Sequence, residues 1–485
     1  MKYQPIQNFI NGKFVNASTS KTLDVISPID GNQLSTVPMS SSKDLDDAVQ
    51  AAKAAFPSWS KTPIKERVQV FFRYKTLLEK HLKELAELCS EENGKTYGES
   101  VAEIEKCIEL TEFATSLPQL TTGEILEVSK GVECRTEHVA LGVVASIVPF
   151  NFPSMVPNWT LPNAIALGNC MIMKPSEKVP LSCGRLAELL KEAGLPDGVF
   201  NVVHGDVEIV NAICDHPSIE AVSFVGSTKV AKIVYQRATQ NLKRCLALGG
   251  AKNHLMVLPD AIPGMTAQNV AASMSGCAGQ RCMAASAMVG VGNIDHIIDK
   301  ICDEARKIVP GENLGAVINK ESQERIEQYI SEAEKNGAKI LVDGRNTKVP
   351  GKENGTYVGP TVIDYVTPEM SVAKEEIFGP VISIMRTNTV EEALAIENAN
   401  PYGNAASVFT QNGAMARYII DRASAGMIGV NVGVPVPREP FSFGGWNESK
   451  FGVGDITGKS SIEFWTKLKK STTKWNPEAG VNWMS

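Results

Sequence analysis

Several common kinds of chemistry lack their usual residues in this chain. The ten cysteines are scattered, with no C-x-x-C pair and no cysteine–histidine cluster at metal-ligand spacing, and histidine is scarce at six residues. A disulfide framework or a zinc site is therefore not expected. We expect a cytoplasmic protein with reduced thiols and no bound metal.

The sequence also lacks a membrane-spanning run and an excess of positive charge. The longest apolar stretch, residues 139–150, is too short to cross a bilayer, and no secretory-type apolar segment opens the chain. The formal net charge is −6. Nucleic acid and membranes are therefore not expected as partners.

The third absence concerns nucleotide motifs. No G-x-G-x-x-G follows a strand-like segment, so the ordinary dinucleotide fingerprint is missing. Gly458-Lys459-Ser460 resembles the end of a phosphate loop, but Val453 stands where the first glycine of that loop is required. Any nucleotide site must therefore be built in another way.

A chain of 485 residues is long enough for two or three domains. Residues 1–40 alternate short strand-like pieces with turns, which predicts hairpins, and residues 41–116 have the apolar spacing of amphipathic helices. Buried-strand patterns then alternate with helical ones over residues 139–228 and again after residue 251. This alternation predicts two α/β units with parallel sheets, and we expect an exposed strand at residues 462–474 that pairs with another subunit.

The ends of the predicted strands locate candidate ligand-binding loops. Strands are predicted at residues 140–148, 170–173, 199–203, 221–225, 253–257, 288–291, 339–342, 381–384 and 407–409, and a helix at 320–335. Parallel sheets bind ligands at the carboxyl ends of their strands. The loops after the first four strands are therefore candidate binding loops.

Cys282 is a candidate nucleophile. It lies in Gly279-Gln280-Arg281-Cys282 among small residues, where a neighbouring cation and an uncrowded backbone favour a reactive thiolate. The alternative is that Cys282 is a small buried apolar residue. Asn151 follows the first long buried strand and could donate to an oxyanion, or it could simply form an Asn-Phe-Pro turn.

Two further motifs suit a nucleotide. Lys174 and Glu177 flank a turn after a buried strand and could bind both hydroxyls of a ribose, although a solvated turn explains them equally well. Glu376 precedes Phe378-Gly379-Pro380, where an aromatic face could lie beside a flat ring; a plain surface charge is the alternative.

Taken together, these motifs resemble the aldehyde dehydrogenase superfamily, and the resemblance covers nearly the whole chain. The matching segments occur in the family's order. They are 149–153, 174–177, 224–228, 279–282, 375–380 and 400–404.

The resemblance implies an aldehyde dehydrogenase fold with three parts. These are a Rossmann-like NAD-binding domain (residues 1–117 and 141–250), an α/β catalytic domain (251–437) and a small β oligomerisation ribbon (118–140 and 464–485), with a C-terminal return segment at 438–463. A homotetramer is expected.

The resemblance also implies roles for individual residues. Cys282 would be the nucleophile and Asn151 part of the oxyanion hole. The NAD site would be formed by Val148, Phe150, Lys174, Glu177, Lys178, Ser227, Gly249, Glu376 and Phe378, with Gly249 touching the cofactor through its backbone. Glu177 favours NAD over NADP because a carboxylate repels a 2′-phosphate.

One departure from the family pattern bears on the reaction. Hydrolytic members have Glu-Leu-Gly-Gly-Lys, whose glutamate activates water, whereas residues 246–254 here contain no carboxylate. Loss of a general base costs a factor of about 10² to 10⁴ in the assisted step. An acyl-enzyme would then persist until a thiol such as coenzyme A arrives.

The chain also resembles one branch of the family, the CoA-acylating methylmalonate-semialdehyde dehydrogenases, at residues 250–254 (Gly-Ala-Lys-Asn-His), 279–284, 149–153 and 441–445. In that branch arginines hold a substrate carboxylate; Arg281 fits one position, but Lys106 stands where a second arginine is expected. We expect oxidation of methylmalonate or malonate semialdehyde to propionyl-CoA or acetyl-CoA. The alternatives are a hydrolytic dehydrogenase acting on another short semialdehyde, and a non-catalytic structural relative.

Overall fold

Two short hairpins begin the chain in the computed structural model, which describes residues 1–475. Their strands are β1 (Asn8–Ile10), β2 (Lys13–Val15), β3 (Thr22–Ile26) and β4 (Gln33–Pro38). β1 pairs with β2 across Asn11-Gly12, both of which have positive φ, and β3 pairs with β4. An Asn-Gly pair favours this kind of tight turn, so the predicted hairpins are confirmed.

A layer of helices follows, as the apolar spacing predicts. These helices are α1 (Ser42–Trp59), α2 (Ile64–Lys80), α3 (Leu82–Asn93), α4 (Tyr97–Thr115) and α5 (Leu117–Leu120). Ser41 and Asp44 form a capping box at the start of α1, and Thr96 with Glu99 forms another at the start of α4. Each box satisfies backbone N–H groups that a helix start leaves unpaired, which fixes where these helices begin.

The next segment forms a hairpin and then the first α/β sheet. The strands are β5 (Ile125–Ser129), β6 (Val132–Ala140), β7 (Val143–Ile147), β8 (Cys170–Lys174), β9 (Phe200–Val202), β10 (Ile219–Val225) and β11 (Arg244–Leu248), and the helices are α6 (Met155–Ala166), α7 (Leu181–Glu192), α8 (Val207–Asp215) and α9 (Thr228–Gln240). Five strands run parallel in the order β9-β8-β7-β10-β11, and β1 joins antiparallel beside β9. The strand order reverses between β7 and β10, and a crevice at such a point is where doubly wound sheets bind ligands.

A second α/β unit follows with its own sheet. Its strands are β12 (Asn253–Val257), β13 (Ala285–Val291), β14 (Lys339–Val342), β15 (Thr361–Asp364), β16 (Val381–Thr387), β17 (Tyr402–Gly403), β18 (Ala405–Phe409) and β19 (Met427–Val430); its helices are α10 (Pro263–Ser275), α11 (Asp295–Arg306), α12 (Lys320–Lys335), α13 (Ser371–Lys374), α14 (Val390–Ala399) and α15 (Gly413–Ile420). The sheet order is β14-β15-β16-β13-β12-β18-β19. Only β14 runs antiparallel to its neighbour among the described strands of this sheet. The predicted pair of parallel α/β units is confirmed.

The C-terminal part returns to the first sheet. It contains β20 (Trp446–Asn447), β21 (Lys450–Phe451), α16 (Ser460–Trp465) and β22 (Thr466–Lys474). β21 pairs with β11, and β22 pairs with β6 over nine residues, so β22, β6 and β5 form a separate three-stranded ribbon.

The predicted strand at residues 462–474 is wrong in its first part. Residues Ile462, Phe464 and Trp465 are buried in α16, and the strand begins only at Thr466. Burial of two neighbouring side chains, Phe464 and Trp465, fits a helix turn packed on the core and not a strand whose side chains alternate between faces. Residues 476–485 of the predicted oligomerisation segment lie outside the described residues.

Within residues 1–475 the helices are all too short or too polar to cross a bilayer.

Candidate active site

A cavity of 520 Å³ lies where the ends of β7, β8 and β10 face the second α/β unit. Its volume is in the range of small-molecule sites. Eleven of the residues predicted for catalysis or cofactor binding line it. They are Val148, Phe150, Asn151, Lys174, Glu177, Lys178, Ser227, Gly249, Cys282, Glu376 and Phe378.

Two asparagine side chains hold the backbone of the candidate nucleophile. The Cys282 carbonyl oxygen accepts hydrogen bonds from Asn253 Nδ2 at 2.7 Å and Asn404 Nδ2 at 2.9 Å. Asn253 also donates to the Ala284 carbonyl at 2.9 Å. Sequence reasoning gave these two asparagines no role, although both stand in motifs that carried the family resemblance.

The chain approaches Cys282 through a strained turn. Cys277 and Ala278 have φ values of 54° and 53°, in the left-handed region. Such a conformation costs a non-glycine residue about 1–2 kcal/mol, so neighbouring contacts must hold it. The Cys277 N–H donates to Glu99 Oε1 on α4, and Gln280 Oε1 accepts from the Ile318 N–H at 3.0 Å.

The surroundings of the Cys282 thiol disfavour its thiolate form. Burial, followed by the negative charge of Glu376, raises its pKa from 9.0 to about 12. Arg281 opposes this shift but contributes less than burial does. Arg281 acts in the expected direction, since it favours the thiolate, but desolvation of the thiolate by burial outweighs it.

Asn151 lies at the carboxyl end of β7 with its amide directed across the cavity. Asn151 Nδ2 donates to the Gln280 carbonyl at 3.0 Å, two residues before Cys282. The backbone carbonyl of Asn151 accepts a hydrogen bond from Lys95 Nζ at 2.9 Å, and the backbone carbonyl of Phe150 accepts one from Asn93 Nδ2 at 2.8 Å. The position of the amide is thus fixed from behind by residues of the helical layer.

A buried ion pair supports this segment. Lys95 Nζ is paired with Glu103 Oε2, and both side chains are 1% exposed or less. Glu103 Oε1 accepts the backbone N–H groups of Ser154 and Met155 at 2.8 and 2.9 Å, at the start of α6. The pair therefore connects α4 to the backbone on both sides of Phe152. Sequence reasoning missed it, and an acidic residue on the buried face of α4 was the available signal.

One wall of the cavity carries the polar residues predicted to bind the adenosine ribose. Lys174 Nζ lies 3.3 Å from Glu177 Oε2, and burial lowers the pKa of Lys174. Lys178 Nζ lies 5.3 Å from the centre of the Phe150 ring, which in turn meets the Phe378 ring edge-to-face at 5.9 Å. One wall of the cavity therefore carries two lysines, Lys174 and Lys178, and the Glu177 carboxylate beside Lys174.

The start of α9 forms the neighbouring wall. Ser227 is its N-cap residue, and Gly226 precedes it in the cavity lining. The 13-residue α9 presents free backbone N–H groups at this end, which attract an anion such as a phosphate. The start of α9 therefore offers backbone donors to an anion without the glycine fingerprint.

Close packing explains the glycine pair between β11 and β12. A Cβ on Gly249 would lie 2.7 Å from Thr228 Oγ1, and one on Gly250 would overlap Glu376 Oε2. Glu376 Oε1 accepts the Ala251 N–H at 3.0 Å, and burial raises the pKa of Glu376 to about 7. Gly250 therefore lets Glu376 approach this backbone, and Gly249 leaves room for Thr228.

Lys252 lies buried behind Glu376. Its Nζ has no hydrogen-bond partner within residues 1–475, and burial lowers its pKa to about 7. The charge of Glu376 acts in the opposite direction on that pKa. No role for this lysine was predicted.

The two residues predicted to bind a substrate carboxylate lie outside the set that lines the cavity. Arg281 Nη2 donates to the carbonyls of Ala272 and Ser273 at 2.8 and 2.9 Å, at the end of α10. Lys106 Nζ lies 2.6 Å from Glu439 Oε2 and 3.2 Å from Glu109 Oε2. Arg281 is held beside the nucleophile, whereas Lys106 is already paired with carboxylates.

Comparison with known proteins identifies relatives along the whole chain. Residues 14–471 match the model of the aldehyde dehydrogenase family. A protein of Geobacillus kaustophilus named malonate-semialdehyde dehydrogenase 2 is 43% identical over 97% of this chain and 99% of its own length. A mouse mitochondrial protein named methylmalonate-semialdehyde/malonate-semialdehyde dehydrogenase [acylating] is 42% identical over 98% of this chain and 90% of its own length.

Solved structures show the same similarity. The methylmalonate-semialdehyde dehydrogenase of Oceanimonas doudoroffii superposes with a TM-score of 0.96 at 43% identity, covering 98% of this chain and 99% of that one. A Sinorhizobium meliloti structure described as a putative methylmalonate-semialdehyde dehydrogenase complexed with NAD gives 0.96 at 42% identity, with the same coverage.

Proposed function

Because the chain belongs to the aldehyde dehydrogenase family, we propose that it oxidises malonate or methylmalonate semialdehyde with NAD and coenzyme A, forming acetyl-CoA or propionyl-CoA. The observation that carries this proposal is the composition of the cavity. Cys282, Asn151 and Glu376 line it together, while residues 246–254, which border it, contain no carboxylate.

The cavity residues fit NAD. The N-terminus of α9 suits the pyrophosphate, Lys174 and Glu177 suit the adenosine ribose, and Glu376 suits the nicotinamide ribose. Glu376 must be ionised to accept hydroxyl hydrogen bonds at full strength, and its pKa of about 7 makes this sensitive to pH. When bound, NAD supplies the two-electron oxidant.

Cys282 and Asn151 provide the covalent chemistry in this proposal. The Cys282 thiol gives its proton to solvent or a nearby base, and the resulting thiolate attacks the aldehyde carbon. The resulting oxyanion accepts hydrogen bonds from Asn151 Nδ2 and the Cys282 backbone N–H. Asn151 Nδ2 must exchange the Gln280 carbonyl, its present partner at 3.0 Å, for the oxyanion.

The product depends on whether CoA or water attacks the acyl-enzyme. Oxidation leaves a thioester on Cys282 whose α carbon bears the carboxylate. Loss of CO₂ leaves its electron pair on the α carbon, which takes a proton. A CoA thiolate then attacks the carbonyl and releases the Cys282 thiolate, a step that requires no general base.

A hydrolytic reaction is the second candidate, and Glu376 is the observation that favours it. A carboxylate with a pKa of about 7 in the same cavity as Cys282 has the properties of a general base. In the proposed NAD site, the Glu376 carboxylate binds the nicotinamide ribose and is therefore not free to act as a base while the cofactor is bound. The two candidates differ in product, acyl-CoA or free acid.

We also propose self-assembly through the ribbon of β5, β6 and β22. Leu126 on β5 is 66% exposed and Leu468 on β22 is 53% exposed. Apolar side chains on an open three-stranded sheet favour pairing with another copy. A homotetramer, measured by light scattering, is the expected state.

A steady-state assay with product analysis tests the proposed reaction. NADH formation from malonate semialdehyde should need CoA and yield acetyl-CoA, and the Cys282→Ala variant should be inactive. Cys277→Ala, at a buried cysteine five residues earlier, is the matched control and should retain the reaction. Equal turnover without CoA, with a free acid as product, would favour the hydrolytic candidate.

A further inference from the structure

Glu99 contacts the turn that leads to the nucleophile, and the reaction described above gives it no role. Its Oε1 accepts the backbone N–H of Cys277, which precedes Cys282 in the same turn segment. Its Oε2 accepts the backbone N–H and the hydroxyl of Thr96 at 3.0 and 2.9 Å, in the capping box at the start of α4. The helix start therefore orients a carboxylate whose second oxygen holds the turn.

The turn needs such a contact because its backbone conformation is unfavourable. Cys277 and Ala278 have φ values of 54° and 53°, where a Cβ is disfavoured sterically. On its other side the turn packs directly on the Gly379 backbone, since a Cβ on Gly279 would lie 2.0 Å from the Gly379 carbonyl oxygen. The turn is thus held between α4 and the loop that carries Glu376.

The same turn contacts the proposed oxyanion donor. The Gln280 N–H donates to the Cys277 carbonyl at 3.0 Å, which joins these two residues. The Gln280 carbonyl accepts Asn151 Nδ2 at 3.0 Å. A shift of the turn relative to α4 would therefore change the distance between Asn151 Nδ2 and Cys282.

The start of α4 contacts both halves of the proposed catalytic pair. Lys95 Nζ donates to the Asn151 backbone carbonyl at 2.9 Å, and Glu99, four residues later, holds the turn before Cys282. Together with the bond from Asn151 to Gln280, these contacts form a closed path through residues 95–99. A misplacement of ~1 Å is enough to weaken an oxyanion contact, so this path bears on the reaction rate.

We propose that Glu99 is a positioning residue for aldehyde oxidation. It keeps Cys277 and Ala278 in the left-handed conformation and thereby holds Cys282 within reach of the oxyanion donor Asn151. The inference rests on the proposed roles of Cys282 and Asn151, but not on the choice of semialdehyde or on the use of CoA. Without the Glu99 carboxylate, the fraction of molecules with a productive turn should fall about tenfold.

The test is the rate of the first NADH turnover with propanal in a rapid-mixing experiment, together with the NAD dissociation constant from a fluorescence titration. Propanal has no carboxylate, and the first turnover precedes any attack by CoA. Glu99→Met should lower this rate about tenfold, with the NAD dissociation constant changed less than about twofold. Glu99→Gln has nearly the same size but keeps an oxygen for the Cys277 N–H, so it should lose less than about threefold.

A glycine at position 277 should compensate for the loss of Glu99. Cys277→Gly and Cys277→Ala both remove the thiol, but only glycine adopts positive φ without steric cost. In the Glu99→Met background, Cys277→Gly should therefore restore at least about fivefold of the lost rate. Cys277→Ala is the matched control and should restore none.

Thr96→Val separates positioning from helix capping. It removes the capping hydroxyl but leaves the Thr96 N–H bonded to Glu99, so it should lower the urea midpoint and keep the first-turnover rate within about twofold of wild type. Three results would each overturn the inference and leave Glu99 as a helix cap. They are a Glu99→Met rate within twofold of wild type or lost together with NAD affinity, equal effects of the two Cys277 substitutions, and a loss in Thr96→Val as large as that in Glu99→Met. The steady-state assay with malonate semialdehyde and CoA is read separately, so failure of the proposed substrate or CoA use is distinguishable.

Discussion

The thiol of Cys282 is expected to react slowly with alkylating reagents until the pH is high. Its pKa is raised from 9.0 to about 12, a difference of three units. The thiolate fraction at pH 8 is then ~10⁻⁴, against ~10⁻¹ for an unperturbed thiol of pKa 9. Only the thiolate reacts, but a thiolate of higher pKa is intrinsically the better nucleophile, so Cys282 should be alkylated about 30- to 60-fold more slowly than a small-molecule thiol.

The assay is the rate of iodoacetamide labelling of the Cys282 peptide, followed by mass spectrometry between pH 6 and pH 10 in protein without cofactor. N-acetylcysteine serves as the reference thiol. The wild-type rate constant should rise about tenfold per pH unit below pH 6.5 and above pH 7.5, and less steeply between them where Glu376 ionises, with no plateau up to pH 10. A plateau at or below pH 9 would refute the argument, because it would mean that Arg281 and backbone N–H groups outweigh burial.

Glu376→Gln separates the two causes of the shift. Glu376 becomes charged as the pH rises through about 7, and its charge then opposes formation of the thiolate. Wild type and variant should therefore label alike below pH 6.5, and the variant should become faster above pH 7.5, by about tenfold for one charge at this depth. Glu375→Gln is the matched control, since Glu375 is an exposed neighbour and should have no effect.

Three further outcomes follow from the site. Asn151→Ala should lower kcat about 10²- to 10³-fold, measured by NADH formation, because it removes one oxyanion donor; an unchanged kcat would exclude that role. Lys95→Met should lower the free energy of unfolding by about 3–5 kcal/mol in urea denaturation, because it leaves Glu103 buried and unpaired; a loss below about 1 kcal/mol would contradict this. Gly250→Ala should weaken NAD binding at least about tenfold in a fluorescence titration, because the new methyl group displaces Glu376; unaltered affinity would show that Glu376 is not a ligand.

The sequence predicted much of the cavity because each of these residues follows a local rule. Asn151 and Ser227 lie just past the end of a buried parallel strand and Lys174 is the last residue of one, and parallel strands bring such ends to one edge. Short-range patterns determine the strands, and the sheet then assembles the loops. Which loops meet could therefore be stated from the sequence before any distance was known.

The two ion pairs, Lys106–Glu439 and Lys95–Glu103, could not be predicted from such local rules. Lys106 and Glu439 are 333 residues apart, and their contact depends on how residues 433–443 pack against α4. Lys95 and Glu103 are close in sequence, but their burial depends on the whole helical layer covering α6. The raised pKa of Cys282 could not be predicted either. It is caused mainly by desolvation, which depends on the assembled cavity and not on the neighbouring Arg281.

The most direct test of the central claim is a rapid-mixing experiment with enzyme, NAD and malonate semialdehyde, with and without CoA. Without CoA, NADH should appear in a burst of one equivalent per Cys282 and then almost stop, since no carboxylate in residues 246–254 activates water. Adding CoA should restart turnover with acetyl-CoA as product. Steady NADH formation at the same rate without CoA, with no acyl group on Cys282 by mass spectrometry, would contradict the account.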